Sequence, residues 1–166
     1  MTTPDFDPNS PQYGYPPADS PRWSHAQPGG VGVRFFARVI DGILVNLAAL
    51  GLSVVLFDWD YWWMVTGLFS GVLMFGYFVL LEVNYGASLG KKLLGLTVHG
   101  PAGAPKPNFK QSAIRNSFTL LAVVPYNIGH LLAFIAYIVI AVTINASPTK
   151  QGKHDELAGG TQVVKR

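Results

Sequence analysis

Residues 35–57 read FFARVIDGILVNLAALGLSVVLF, with Arg38, Asp41 and Asn46 as the strongly polar groups among them. A run this long exceeds the ~20 apolar residues that carry a helix across a ~30 Å hydrocarbon core. The solvent of this fold is therefore lipid. A second run, WWMVTGLFSGVLMFGYFVLLEV over residues 62–83, is equally long and carries one charge, Glu82. Asp58-Trp59-Asp60-Tyr61 alone separates the two, which predicts an antiparallel helical hairpin. Trp59, Tyr61, Trp62 and Trp63 at its tip suit an interfacial aromatic belt. A third uncharged block, 117–145, is broken by Pro125, Asn127, Gly129 and His130. It divides into a short arm over about 113–124 and a helix over about 127–145. The expected architecture is an all-α integral membrane protein, a bundle of three or four transmembrane or re-entrant helices over residues 31–164.

Composition supports this. Of 166 residues, 49% are hydrophobic and 13% charged, about half the ~25% charge of soluble domains. A disordered chain, a coiled coil and an ordinary soluble enzyme are excluded. There is no cysteine, hence no disulfide, thiolate metal site or Cys nucleophile. Residues 1–30 are different: Pro4, Pro8, Pro11, Pro16, Pro17, Pro21 and Pro28 punctuate a polar stretch expected to be a disordered, polyproline-like tail. Tyr13, Tyr15 and Trp23 offer a partner some aromatic contact. The start MTTPDFDP has neither a basic region nor an apolar core, so the first apolar run is expected to act as its own insertion signal.

The loops orient the bundle. The 58–61 turn has two Asp and no cation, whereas 84–116 carries Lys91, Lys92, Lys106, Lys110 and Arg115 with no acid. The positive-inside rule puts the turn outside, and the long loop and N-terminal tail in the cytoplasm. Lys150, Lys153, Lys165 and Arg166 ask the same of the C-terminus, so the 113–124 arm should dip in and return rather than cross. Within the loop, residues 93–98 suit a short strand or an interfacial apolar stretch, and Asn108 is placed to cap a helix through Arg115.

Charges inside apolar helices are the candidate site. Arg34, Arg38 and Asp41 share one helical stripe, and Glu82 lies at the depth of Arg38 on the neighbouring helix, so an Arg38–Asp41–Glu82 cluster is expected at the inner leaflet. It serves either as an ion network that fixes helix register or as a cation or proton site. Gly67 and Gly71 form a small-xxx-small pair for close packing within the bundle. His130 reads as a hydrogen-bonded packing histidine. His154-Asp155-Glu156 hints at a metal or acid–base site, but further ligands are lacking. No phosphate loop, nucleophile elbow or zinc motif is present, so neither an enzyme nor a cofactor is expected. The positive charge orients the chain in the bilayer and does not point to nucleic acid.

Three stretches together resemble the RDD family of bacterial membrane proteins: Arg38-Val-Ile-Asp41, GASLGKKLLGLTV over 86–98, and QGKHDELAG over 151–159. Gly90, Lys91, His154 and Asp155 belong to these signatures. The family's arginine and two aspartates fall on Arg38, Asp41 and Asp155. The sequence AGGTQVV at 158–164 carries one glycine more than the usual pattern. The resemblance implies a multi-pass protein of the bacterial plasma membrane, of unassigned activity, with transport of an ion or small solute suggested in general terms. Three or four short helices leave little room for a pathway in one chain, so a homo-oligomer is expected. The alternative is a non-catalytic adaptor that recruits an envelope partner through the tail and basic loop. If Asp155 works with the first helix, residues 151–164 must fold back onto it.

Overall fold

A computed structural model describes residues 27–56, 62–124 and 128–166, with side chains omitted at 62–66. The proline-rich stretch before Gln27, the 58–61 turn with its aromatic belt, and Pro125–Asn127 lie outside the described residues.

Three helices are long and apolar enough to cross a membrane. They are α1 (Val31–Leu56), α2 (Trp62–Tyr85) and, after the intervening short elements, α5 (Ile128–Ala146). On α1 the buried residues Arg34, Ala37, Asp41, Val45, Ala49 and Ser53 recur every three or four positions and form one narrow stripe. Phe35, Phe36, Ile43, Leu47 and Val55 are exposed. An apolar helix that turns Arg34, Asp41 and Ser53 inward and exposes its large aliphatics is built for lipid, where chain polarity must be satisfied internally.

Between α2 and α5 the chain makes a compact cap and then an arm. Gly86, at φ 70°, turns the chain out of α2 in a conformation that favours glycine. Ser88 caps the short helix α3 (Leu89–Leu93), which leads into β1 (Leu96–His99). A 3₁₀ turn at Pro101–Gly103 precedes α4 (Phe109–Asn116). Asn108 caps α4 as expected: its Oδ1 accepts from the Gln111 amide at 2.9 Å, and Gln111 Oε1 accepts from the Asn108 amide at 2.8 Å. A 3₁₀ helix over Ser117–Val123 completes the arm.

The arm packs along α2. A side chain at Gly71 would meet Val123, and one at Gly67 would meet His130 and the Ala122 carbonyl, so the small-xxx-small pair receives the arm. From there α5 returns to its starting end, where Ile144 meets Gly152. The C-terminal segment closes that end with α6 (Lys153–Leu157) and β2 (Gln162–Lys165). Strand β2 pairs antiparallel with β1, Leu96 opposite Lys165 and His99 opposite Gln162. It also touches the approach to α1: the Gly29 amide donates to the Val163 carbonyl at 3.0 Å. The fold is thus mostly helical, and the all-α expectation is amended by one two-stranded sheet. The start of α1, the end of α2, the cap and the C-terminus all lie at one end of the bundle.

Candidate functional site

At that end Asp41, Glu82 and Asp155 are each fully buried. They are held in two ways. Asp41 meets neutral donors: Tyr77 Oη at 2.6 Å, Ser88 Oγ at 2.5 Å and the Gly90 amide at 2.7 Å. Gly90 is required there, because a Cβ would collide with the Ala37 carbonyl oxygen of α1. Glu82 and Asp155 instead belong to an alternating chain of charges. Lys91 Nζ pairs with Glu82 Oε1, and Arg115 Nη1 lies 3.8 Å from the same oxygen. Arg115 Nε then reaches Asp155 Oδ1 at 2.8 Å, and Arg34 Nη1 reaches Asp155 Oδ2 at 3.2 Å. Ser112 Oγ and Asn116 Nδ2 donate to the second oxygen of Glu82 at 2.9 and 3.0 Å. Buried ions need such complete partnering, since an unpaired charge costs several kcal/mol.

The expected Arg38–Asp41–Glu82 cluster is therefore corrected. Arg38 makes no ion pair with either acid. Its Nη2 donates to Asn116 Oδ1 at 2.9 Å, and its guanidinium lies over Phe78, 3.8 Å from the ring centroid, with Phe118 at 5.5 Å. Asn116 bridges it to Glu82. Asp41 needs no cation because three donors already disperse its charge. Lys91 and Arg115, from the cap and the arm, take the place sequence reasoning gave to Arg38.

Asp155 is reached by the C-terminal fold-back that the resemblance required. Burial alone would raise its carboxyl, but Arg115, His154 and Arg34 outweigh this and hold it below the usual carboxylate range. Burial pushes the Lys91 ammonium down to about 7 against the pull of Glu82. It pushes the His154 imidazole down to about 3, although Asp155 Oδ1 lies 3.5 Å from Nε2, because Arg115, Arg38 and Lys91 repel a further positive charge. At neutral pH His154 is uncharged. Glu156 does not join the site, pairing on the surface with Lys153 at 2.7 Å. Among the described residues no group of His, Asp and Glu could hold a metal ion.

Residues 28–159 match the RDD family. The chain belongs to that family. No curated protein and no solved structure matches it. RDD membership and the three long apolar helices make this a multi-pass bacterial membrane protein of unassigned activity. In this RDD protein the cation of the first helix that Asp155 meets is Arg34, one turn before the signature Arg38. Arg34 also donates to three carbonyls, of Gly29, Lys150 and Val163, and so ties the C-terminal segment to α1.

Beside this RDD network lies a cleft of about 450 Å³ between α1 and α5. Arg34, Arg38, Lys91 and Arg115 line one end of it, while Asp41, Glu82 and Asp155 do not reach it. Farther along come Asn46, Ser70 and His130, with apolar side chains between. Ser70 donates to Asn46 at 2.7 Å. His130 is exposed and has no hydrogen-bond partner among the described residues, so it lines the cleft instead of packing as expected. Asn46, Ser70 and His130 share no motif, and only their place along the hollow singles them out.

Proposed function

We propose that this protein binds a small anionic solute in the cleft between α1 and α5 and carries it across the membrane. The observation behind this reading is the sign of the lining: four cationic side chains line the cavity, and the carboxylates that pair with three of them do not reach it. A cavity of about 450 Å³ falls within the ~300–1,000 Å³ of ordinary ligand sites. The polar groups Asn46, Ser70 and His130 extend it away from the cationic end. A cation or proton site at Asp41 fits less well, because every group around that carboxylate points a hydrogen at it. In this reading both termini and the 84–116 loop are cytoplasmic, and helices of further copies complete the wall where α1 and α5 part. The adaptor reading assigns the work to the proline-rich tail instead.

Liposomes containing the purified protein test the proposal. Chloride, phosphate, acetate and sodium uptake are followed in parallel against protein-free vesicles. Uptake of at least one anion is expected, reduced roughly tenfold by Arg38→Gln, the equivalent of about 1.4 kcal/mol of lost contact. Removing residues 1–26 should leave it unchanged. Sodium flux without anion flux overturns the proposal, and loss of flux with the tail favours the adaptor.

A further inference from the structure

We infer that the occupant of this cleft is an anionic amphiphile: one carboxylate or phosphate headgroup beside Arg38, and a long acyl chain lying between α1 and α5. This rests on the anionic reading of the cleft and names the class of molecule. Four features point to it.

The first is the charge balance. Of the four cations that line the cleft, Arg34, Lys91 and Arg115 pair with Glu82 and Asp155, whereas Arg38 has no carboxylate within ion-pair distance among the described residues. Phe78 and Phe118 lie against its guanidinium, and its buried Nη1 has no hydrogen-bond acceptor among the described residues. A single headgroup oxygen supplies both the acceptor and the missing negative charge.

The second is the polarity gradient. The cations crowd one end, while Val39, Gly42, Met74, Ala133, Phe134, Tyr137 and Ala141 make the rest of the wall mostly apolar. A small hydrated anion uses only the cationic end of such a wall, whereas an acyl chain also buries area along the rest of it. The third is length. From Arg34 to Asn46 the cleft follows α1 for about 18 Å at ~1.5 Å per residue. One leaflet of a ~30 Å hydrocarbon core is about 15 Å deep. The fourth is access. Phe35, Val39 and Phe134 line the cleft and are also exposed, so the slot opens sideways between two lipid-facing helices. A chain enters from the bilayer without passing through water.

The test uses the full-length protein in a neutral detergent, with binding read by native mass spectrometry and by the thermal midpoint. The probes are oleate and phosphatidylglycerol, which separate a free carboxylate from a lipid headgroup. Dodecyltrimethylammonium carries a chain of opposite sign, while acetate and phosphate carry no chain. Binding of either anionic amphiphile, above that of all three controls, supports the inference. Arg38→Gln should weaken it on the order of tenfold or more, and Arg38→Lys should retain most of it. Should Arg38→Gln not fold, Gly42→Leu serves: a Cβ at Gly42 meets nothing within 4 Å, so the new side chain fills the cleft without a clash and should exclude the acyl chain. Equal binding of the cationic amphiphile overturns the inference, as does binding of acetate or phosphate as tight as that of the chains. So does undiminished binding in the Gly42→Leu protein. Small-anion uptake without amphiphile binding defeats this inference alone. Amphiphile binding without any uptake defeats transport and leaves the occupant standing.

Discussion

Asp155 and Asp41 are both sealed from solvent, yet they answer different needs. Among the described residues Asp155 is the only carboxylate that Arg34 reaches within ion-pair distance, and it pairs with Arg115 as well. Asp155→Asn therefore leaves Arg34 without a carboxylate and Arg115 with only Glu82 at 3.8 Å, and should cost about 3–5 kcal/mol, against ~0.5 for an ordinary surface change. A thermal midpoint in detergent that falls by no more than a degree or two would show that the pairing contributes little. His154 predicts a pH dependence. Its imidazole titrates near 3 when folded and near 6.5 when free, so the unfolded chain binds more protons between those values. Stability is then full above pH 6.5 and declines as pH falls, by about 2 kcal/mol at pH 5. His154→Gln should flatten this slope. Burial also lowers His99, so a smaller dependence of the same sign should remain.

The elements differ in how much of them could be read in advance. Helices α1 and α2 follow from unbroken apolar length, and α4 follows from Asn108 and Gln111 at capping-box spacing. The pairing of β1 with β2 could not be read: its strands lie far apart in sequence, and register across such a distance is a tertiary property. The same distance keeps the Arg34–Asp155 pair out of any local pattern, and only the family resemblance brings Asp155 to the first helix. Arg34 was visible on the stripe with Arg38 and Asp41, but its partner lies 121 residues away. Lys91 and Arg115 read as markers of topology, because basic residues in a loop are ordinarily solvated, and only the packing of α3 against α1 and of α4 against α2 buries them. Gly90 is where element packing is most exposed to mutation. Gly90→Ala would push α3 away from α1 and break the Gly90–Asp41 hydrogen bond, a loss of about 1–3 kcal/mol for an overpacked contact. Gly76→Ala, where a Cβ meets nothing within 4 Å, should leave the melting temperature unchanged.

Seen as one molecule, the protein keeps nearly all its polar machinery at one end. The arm enters there, reaches the level of Gly67 and Gly71, and α5 comes back, so α1, α2 and this hairpin put both described termini on the same side. From the distribution of Lys and Arg we propose that this side is the cytoplasm. In this cysteine-free chain, an impermeant thiol reagent should label Trp59→Cys in intact cells. It should reach Lys110→Cys and Lys153→Cys, both at exposed positions, only after permeabilisation. Labelling of Lys153→Cys from outside would mean that the third block crosses fully. The fold-back of the C-terminus also sets an order of events during synthesis. While residues 151–166 are still inside the ribosome, Arg34 and Arg115 have already been delivered to the membrane without Asp155, and β1 has no strand beside it. The nascent chain can lodge its helices but cannot finish its polar end until residues 151–166 emerge. A chain that stops before Asp155 would therefore be an inserted but unsealed product, which membrane proteases would tell from the sealed one by its loose end.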